Sequence, residues 1–178
     1  MIITLGEVRM DPGKVNAVRN WPIPKMLKDV RGFIGFSNFY RRFIKDFSAI
    51  ARPLHDLTKK DVPWHWDKEQ QAAFVTLKEA FCKEPILKVY NEKLSTRVEV
   101  DASGFATGGI LTQKHEDGLW HPVAYRSESM SKEECNYKIY DREMLGLVRA
   151  LEDWRHFLEG IEFEAITDHK NMEWWAMM

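Results

Sequence analysis

Residues 97–127 read RVEVDASGFATGGILTQKHEDGLWHPVAYRS, and this stretch decides the fold class. Val98 and Val100 flank Glu99 in strict alternation, the period of a half-buried strand, which ends in Asp101-Ala102-Ser103-Gly104. Ala106 to Gln113 reads as the next strand, with Gly108-Gly109 as a tight or bulged point. Lys114 to Gly118 supplies a turn closing on Asp117-Gly118, and Trp120 to Ser127 reads as a third strand. Three short strands at this spacing predict an antiparallel meander.

Downstream, a long helix is predicted over Lys132–Leu158, with Tyr140, Met144, Leu147, Leu151, Trp154 and Leu158 as its face and Gly160 as its cap. Glu162 to Thr167 reads as a fourth strand ending at Asp168, and Asn171 begins another helix. Strands mixed with long helices make the class α/β (α+β).

Upstream, residues 2–10 read as a strand or hairpin. Asp11-Pro12 is a helix start, Asp as N-cap and Pro at the first helical position. That helix shows Val15, Val18 and Trp21 on one side and ends at Trp21-Pro22-Ile23-Pro24. A second helix is predicted over Lys28–Phe47, because Phe33, Phe36, Tyr40, Phe43 and Phe47 recur at spacings of 3, 4, 3 and 4. Gly32 and Gly35 inside it each cost roughly 1 kcal/mol relative to Ala, which points to close approach by something else. Pro53 and the polar run 58–63 are expected to close this half. Asp67 with Gln70 forms a capping box for a third helix with Phe74, Leu77 and Phe81 on its buried edge. The organisation expected is 1–63, then a helix and linker over 64–96, then 97–178.

The 178 residues carry a net charge of −1, with 44% hydrophobic residues, enough for a core. The small net charge hides an asymmetry. Residues 1–60 balance to +7 and residues 61–178 to −8. A basic half suits nucleic acid, and an acidic half can gather carboxylates for metal. No apolar run is long enough to span a membrane, and the N-terminus lacks the pattern of a signal peptide. The two cysteines form no CxxC pair, so zinc-ribbon and disulfide scaffolds are excluded and a reducing, intracellular setting is expected.

Three acids stand out by position. Asp101 and Asp168 end strands of the predicted sheet and emerge at its rim. Glu143 shares a helical stripe with Ile139, Gly146 and Ala150, and an inward carboxylate is costly unless paired, hydrogen-bonded or metal-bound. Acids from two strand ends and a packed helix can converge on Mg²⁺, a hard cation that takes oxygen ligands. The competing reading leaves them as ordinary surface acids. No HExxH, GxSxG, P-loop or GxGxxG is present, and the six histidines show no ligand spacing; His169, beside Asp168, is the one worth attention.

Longer strings carry a resemblance. Met10–Val15 with Trp21–Pro24, Val30–Ile44 and Phe47–Leu54 resemble the end of the polymerase portion of Gypsy/Ty3-type retrotransposon reverse transcriptases. Val100–Ser103, His121–Tyr125, Asn136-Tyr137, Asp141–Leu145 and Thr167–Asn171 resemble the RNase H domain fused behind it. The resemblance implies an RNase H-like mixed sheet with helices, preceded by a small helical thumb and connection module. It implies cleavage of RNA in RNA–DNA hybrids, with Asp101, Glu143 and Asp168 holding Mg²⁺ (Mn²⁺ as a substitute). It also implies that Lys28, Arg31, Gly32, Gly35, Asn38, Arg41, Arg42 and Lys45 meet a nucleic-acid duplex, and that the rest of the polyprotein is a partner. The setting would be a cytoplasmic virus-like particle or the nucleus. Tyr-x-Asp-Asp, the polymerase motif, is absent from the 178 residues and is expected upstream of residue 1; the fourth RNase H acid is expected beyond Met178. A catalytically inactive nucleic-acid-binding or recruited interaction module is the alternative.

Overall fold

The computed structural model of the chain describes residues 1–83 and 86–167. Ile2–Thr4 (β1) and Glu7–Arg9 (β2) form a hairpin that turns through Gly6 at φ +78°, a conformation that favours glycine. The Asp11 carboxylate accepts from the N–H of Gly13 at 2.8 Å and caps α1 (Pro12–Arg19). The helix expected over 28–47 is two helices: α2 (Leu27–Phe39) and α3 (Phe47–Leu57), joined by a 3₁₀ turn at Arg41–Phe43. Asp46 takes a left-handed φ of 55° at the junction. Phe33, Phe43 and Phe47 are all buried in one core nevertheless. The chain turns around that core, so the helical spacing of aromatics persists where the helix does not. Pro53, expected to help close this half, lies inside α3.

Asp67 starts α4 (Lys68–Cys82) through the expected capping box, with the Gln70 side chain accepting from the Asp67 N–H at 3.1 Å. Phe74, Leu77 and Phe81 pack into the same core, Phe74 against Phe33 at 4.7 Å between ring centres. Leu87–Lys88 (β3) then pairs antiparallel with β2, so the linker returns to the first half and completes a three-stranded sheet.

The central stretch forms the meander. β4 (Thr96–Ala102), β5 (Ala106–Lys114) and β6 (Trp120–Ser129) pair antiparallel in turn. The irregular point falls between Leu111 and Thr112, not at Gly108-Gly109, which keep register. Those glycines instead admit close neighbours: a Cβ on Gly109 would stand 3.3 Å from the Trp154 ring, and one on Gly108 3.3 Å from Asp46 Oδ1.

The helix expected over 132–158 is also shorter. A 3₁₀ turn at Glu134–Asn136 precedes α5 (Ile139–Asp153), and α6 (Arg155–Leu158) follows after a break at Trp154. The inward face of α5 is Glu143, Gly146 and Ala150, continued by Trp154 and Leu158. Ile139 and Tyr140 are exposed, while Leu147 and Leu151 pack partly against the core. Phe163–Ile166 (β7) runs parallel to β4, giving a mixed sheet of order β6-β5-β4-β7.

Two hydrophobic cores result. One joins α1–α4 and β3; the other lies between α5–α6 and the four-stranded sheet. They meet at β6. The Ser48 N–H donates to Ser127 Oγ at 2.9 Å, the Arg41 guanidinium donates to the Ser127 carbonyl, and Tyr125 packs against the first core.

Candidate nucleic-acid and metal site

Alternation along β4 sends Val98 and Val100 into the core beneath α5 and leaves Asp101 exposed on the opposite side. Asp101 lines a groove of about 200 Å³ with Glu99, Gly108, Thr167 and, from the α2–α3 junction, Lys45 and Asp46. The turn after it is tight. Ser103 Oγ accepts from the Ala106 N–H at 3.0 Å, and the Arg142 guanidinium donates to the Ser103 carbonyl at 3.3 Å.

Glu143 is 2% exposed, as an inward carboxylate on α5 should be. The Ala102 N–H donates to its Oε1 at 3.1 Å, and the Thr167 hydroxyl donates to its Oε2 at 3.4 Å. Two donors lower the cost of burying this charge. They also place the carboxylate at the end of β4, on the amide that follows Asp101. Gly146, one turn on, lets α5 approach: a Cβ there would lie 3.5 Å from Thr107 Cβ and 3.9 Å from the Asp101 carbonyl. Asp168 lies outside the described residues, as do His169 and the helix expected from Asn171. Among the described residues no group of three or more His, Cys, Asp or Glu is arranged to hold a metal. The structure thus brings Asp101 and Glu143 to one strand end and leaves the third acid undescribed.

The predicted nucleic-acid residues divide. Lys28, Arg31, Gly32, Gly35 and Asn38 lie exposed on α2, opposite buried Val30, Phe33, Ile34 and Ser37. No atom lies within 4 Å of a Cβ built on Gly32 or Gly35, so both glycines face open space. Arg42 is exposed, and Lys45 turns to the Asp101 groove. Arg41 is engaged within the chain at Ser127. Sequence reasoning missed Phe39, 71% exposed one turn beyond Gly35. The signal was available: Phe39 falls outside the 3-4-3-4 stripe of core aromatics.

The model for the RNase H-like domain found in reverse transcriptase matches residues 66–165. The chain belongs to this RNase H-like family. Among its curated relatives are the Tf2-3 and Tf2-4 transposon polyproteins of Schizosaccharomyces pombe, each 40% identical over 89% of this chain. The chain spans 12% of their length. The resemblance to Gypsy/Ty3-type elements therefore stands. Among solved structures, the foamy viral protease-reverse transcriptase dRH in complex with double-stranded DNA matches with a TM-score of 0.77 at 20% identity, covering 95% of this chain and 30% of that one. The same enzyme in complex with RNA/DNA hybrid matches at 0.73 and 21%, covering 90% and 22%. These likenesses bear out the expected fold class. The family is one of nucleases, and no helix among the described residues of this RNase H-like chain is long and apolar enough to cross a membrane.

Proposed function

We propose that the chain is the thumb, connection and RNase H portion of a Gypsy/Ty3-type reverse transcriptase, cutting the RNA strand of RNA–DNA hybrids. Residues 1–63 are read as the end of the palm and the thumb, 64–96 as the connection, and 97–178 as the RNase H-like domain. One observation carries the reading: the buried Glu143 carboxylate, held by the Ala102 amide beside Asp101 and by Thr167, the residue before Asp168.

The donors suit a hard cation, since Mg²⁺ takes one or two carboxylates together with waters and phosphate oxygens, and Asp101 offers an exposed carboxylate beside the buried Glu143. Asp101, Glu143 and Asp168 would hold it, Asp168 on the resemblance alone. Bound there, Mg²⁺ or Mn²⁺ would make a water acidic enough to lose a proton to solvent and serve as the nucleophile on the phosphodiester, and would stabilise the oxygen that leaves. The chain's own contribution is placement. The Ala102 and Thr167 donors fix the Glu143 carboxylate in one orientation, and Arg142 steadies the turn that follows Asp101. The exposed face of α2, with Lys28, Arg31, Asn38 and Phe39 around Gly32 and Gly35, and Arg42 just beyond it, would receive the duplex. The complexes of the foamy viral enzyme with DNA and hybrid support nucleic acid as the partner.

The test is hybrid cleavage in Mg²⁺ and in Mn²⁺ by the 178-residue chain, compared with Asp101→Asn and Glu143→Gln, alongside Mn²⁺ titration calorimetry. Cleavage and Mn²⁺ heat that both vanish in the variants support the assignment; equal rates in all three proteins refute it. Hybrid binding without cleavage or Mn²⁺ heat would make the chain a binding module.

A further inference from the structure

The Asp101 groove is built by both halves of the chain. Asp101 on β4 pairs with Gly108 on β5, and side chains directly opposed across two strands stand about 4.5–5.5 Å apart. Gly108 has no side chain to put there. Asp46 of the α2–α3 junction takes the place instead: a Cβ on Gly108 would lie 3.3 Å from Asp46 Oδ1. Its neighbour Lys45 lines the same groove with Glu99, Asp101 and Thr167.

This placement is fixed from several sides. Phe43 and Ile44 before the pair and Phe47 after it are buried in the first core, so Lys45 and Asp46 are held outward between anchors. Asp46 turns the chain at its left-handed φ of 55°. The Ser48 N–H and the Arg41 guanidinium both donate to Ser127, which bolts the junction to β6. The Lys45 ammonium is therefore tethered beside the strand that carries Asp101.

The charges in the groove are unequal. Glu99 and Asp101 are two residues apart on β4 and share one face of the sheet, and Asp46 adds a third carboxylate. Among the described residues Lys45 is the one cation that lines the groove, and it forms no ion pair with any of them. A compact ammonium on a flexible four-carbon stem, close to several carboxylates and bound to none, offsets their repulsion and leaves their oxygens open.

We propose that Lys45 is the resident counter-ion of the acid site and sets its affinity for divalent metal. The proposal rests on Asp101 and Glu143 being metal ligands. In the metal-free chain the ammonium offsets the repulsion between Asp101 and its neighbours. It also repels an arriving divalent ion, so the site binds that ion less tightly than its carboxylates alone would. The helical half of the chain thereby tunes a site carried by the other half.

The experiment measures Mn²⁺ binding by loss of the free-ion electron paramagnetic resonance signal, at low salt and at roughly 0.2 M salt. It compares the 178-residue chain with Lys45→Arg, Lys45→Gln and Lys45→Glu, and with Lys60→Gln as a control at an exposed lysine outside the groove. Lys45 is exposed, so none of its substitutions disturbs a core. Lys45→Gln is expected to bind Mn²⁺ about fivefold more tightly, the repulsion between one ammonium and a divalent ion across a solvated groove, and Lys45→Glu more tightly still. Lys45→Arg keeps the charge and should match the unmodified chain. The differences should shrink as salt rises, which a change in packing would not produce. Equal affinity in the Lys, Gln and Glu proteins overturns the proposal and leaves the metal site standing, as does equal tightening by Lys60→Gln. Absence of Mn²⁺ binding by every one of the proteins overturns both.

Discussion

Replacing Gly32 and Gly35 together by alanine should make the chain more stable and its nucleic-acid binding weaker. Both glycines lie in the interior of α2, both are exposed, and nothing stands within 4 Å of either added Cβ. Neither has a positive φ, so alanine adopts the existing backbone without strain. The gain is then the helix-propensity difference, about 0.8–1.0 kcal/mol per site, or roughly 1.5–2 kcal/mol together. For a chain of this size that raises the melting temperature by about 3–8 °C. The assay is thermal and urea unfolding followed by circular dichroism, where an unchanged urea slope confirms that stability alone has moved. Hybrid affinity, measured in parallel, should fall several-fold, because two methyl groups stand where a duplex would approach the helix backbone. No gain in stability would refute the exposed helical placement of these glycines. A gain with unchanged affinity would refute the close approach, leaving the glycines without the role inferred for them.

Three further outcomes follow from the packing. Gly146→Leu should destabilise by about 1–3 kcal/mol, since its Cβ already lies 3.5 Å from Thr107; a neutral effect in urea unfolding would contradict the α5–β5 packing. Gln113 is fully buried, donates to the Asn91 carbonyl at 2.8 Å and to Thr96 Oγ1 at 2.9 Å, and accepts from the Asn91 N–H at 2.9 Å. Gln113→Leu should cost about 2–3 kcal/mol by leaving those partners unpaired in the interior, measured by denaturant midpoint. Burial first, then the nearby Arg41 charge, pushes the His55 imidazole below its usual 6.5, against the opposing pull of Asp56. The unfolded chain therefore binds that proton more readily, so its stability contribution is intact above pH 6.5 and is lost as pH falls below it. His55→Gln should flatten the stability profile between pH 7.5 and 5.5, and an unchanged profile would refute the assignment.

Legibility in the sequence followed the range of the interactions. Asp11 and Asp67 act on amides two or three residues away, so their caps were readable as local chemistry. The meander was readable because alternation and the Asp117-Gly118 turn are also local. The Phe33–Phe47 stripe misled because spacing reports burial and not the path of the backbone. The face of α5 was legible in part: Glu143, Gly146 and Ala150 are inward as their shared stripe indicates, and Trp154 and Leu158 are buried, but Ile139 and Tyr140 at the start of the helix are exposed. The tight approach to β4 and β5 selects the small residue and the hydrogen-bonded acid over those larger side chains.

By itself, the sequence determined the elements whose causes lie within a few residues, the split between a basic and an acidic half, and the family strings that single out Asp101, Glu143 and Asp168. Tertiary structure alone decided that Glu143 sits on the amide following Asp101, that Arg41 ties the halves at Ser127, and that Lys45 lines the Asp101 groove. Each of these depends on residues tens of positions apart meeting across two packed cores, and local pattern carries no term for such encounters.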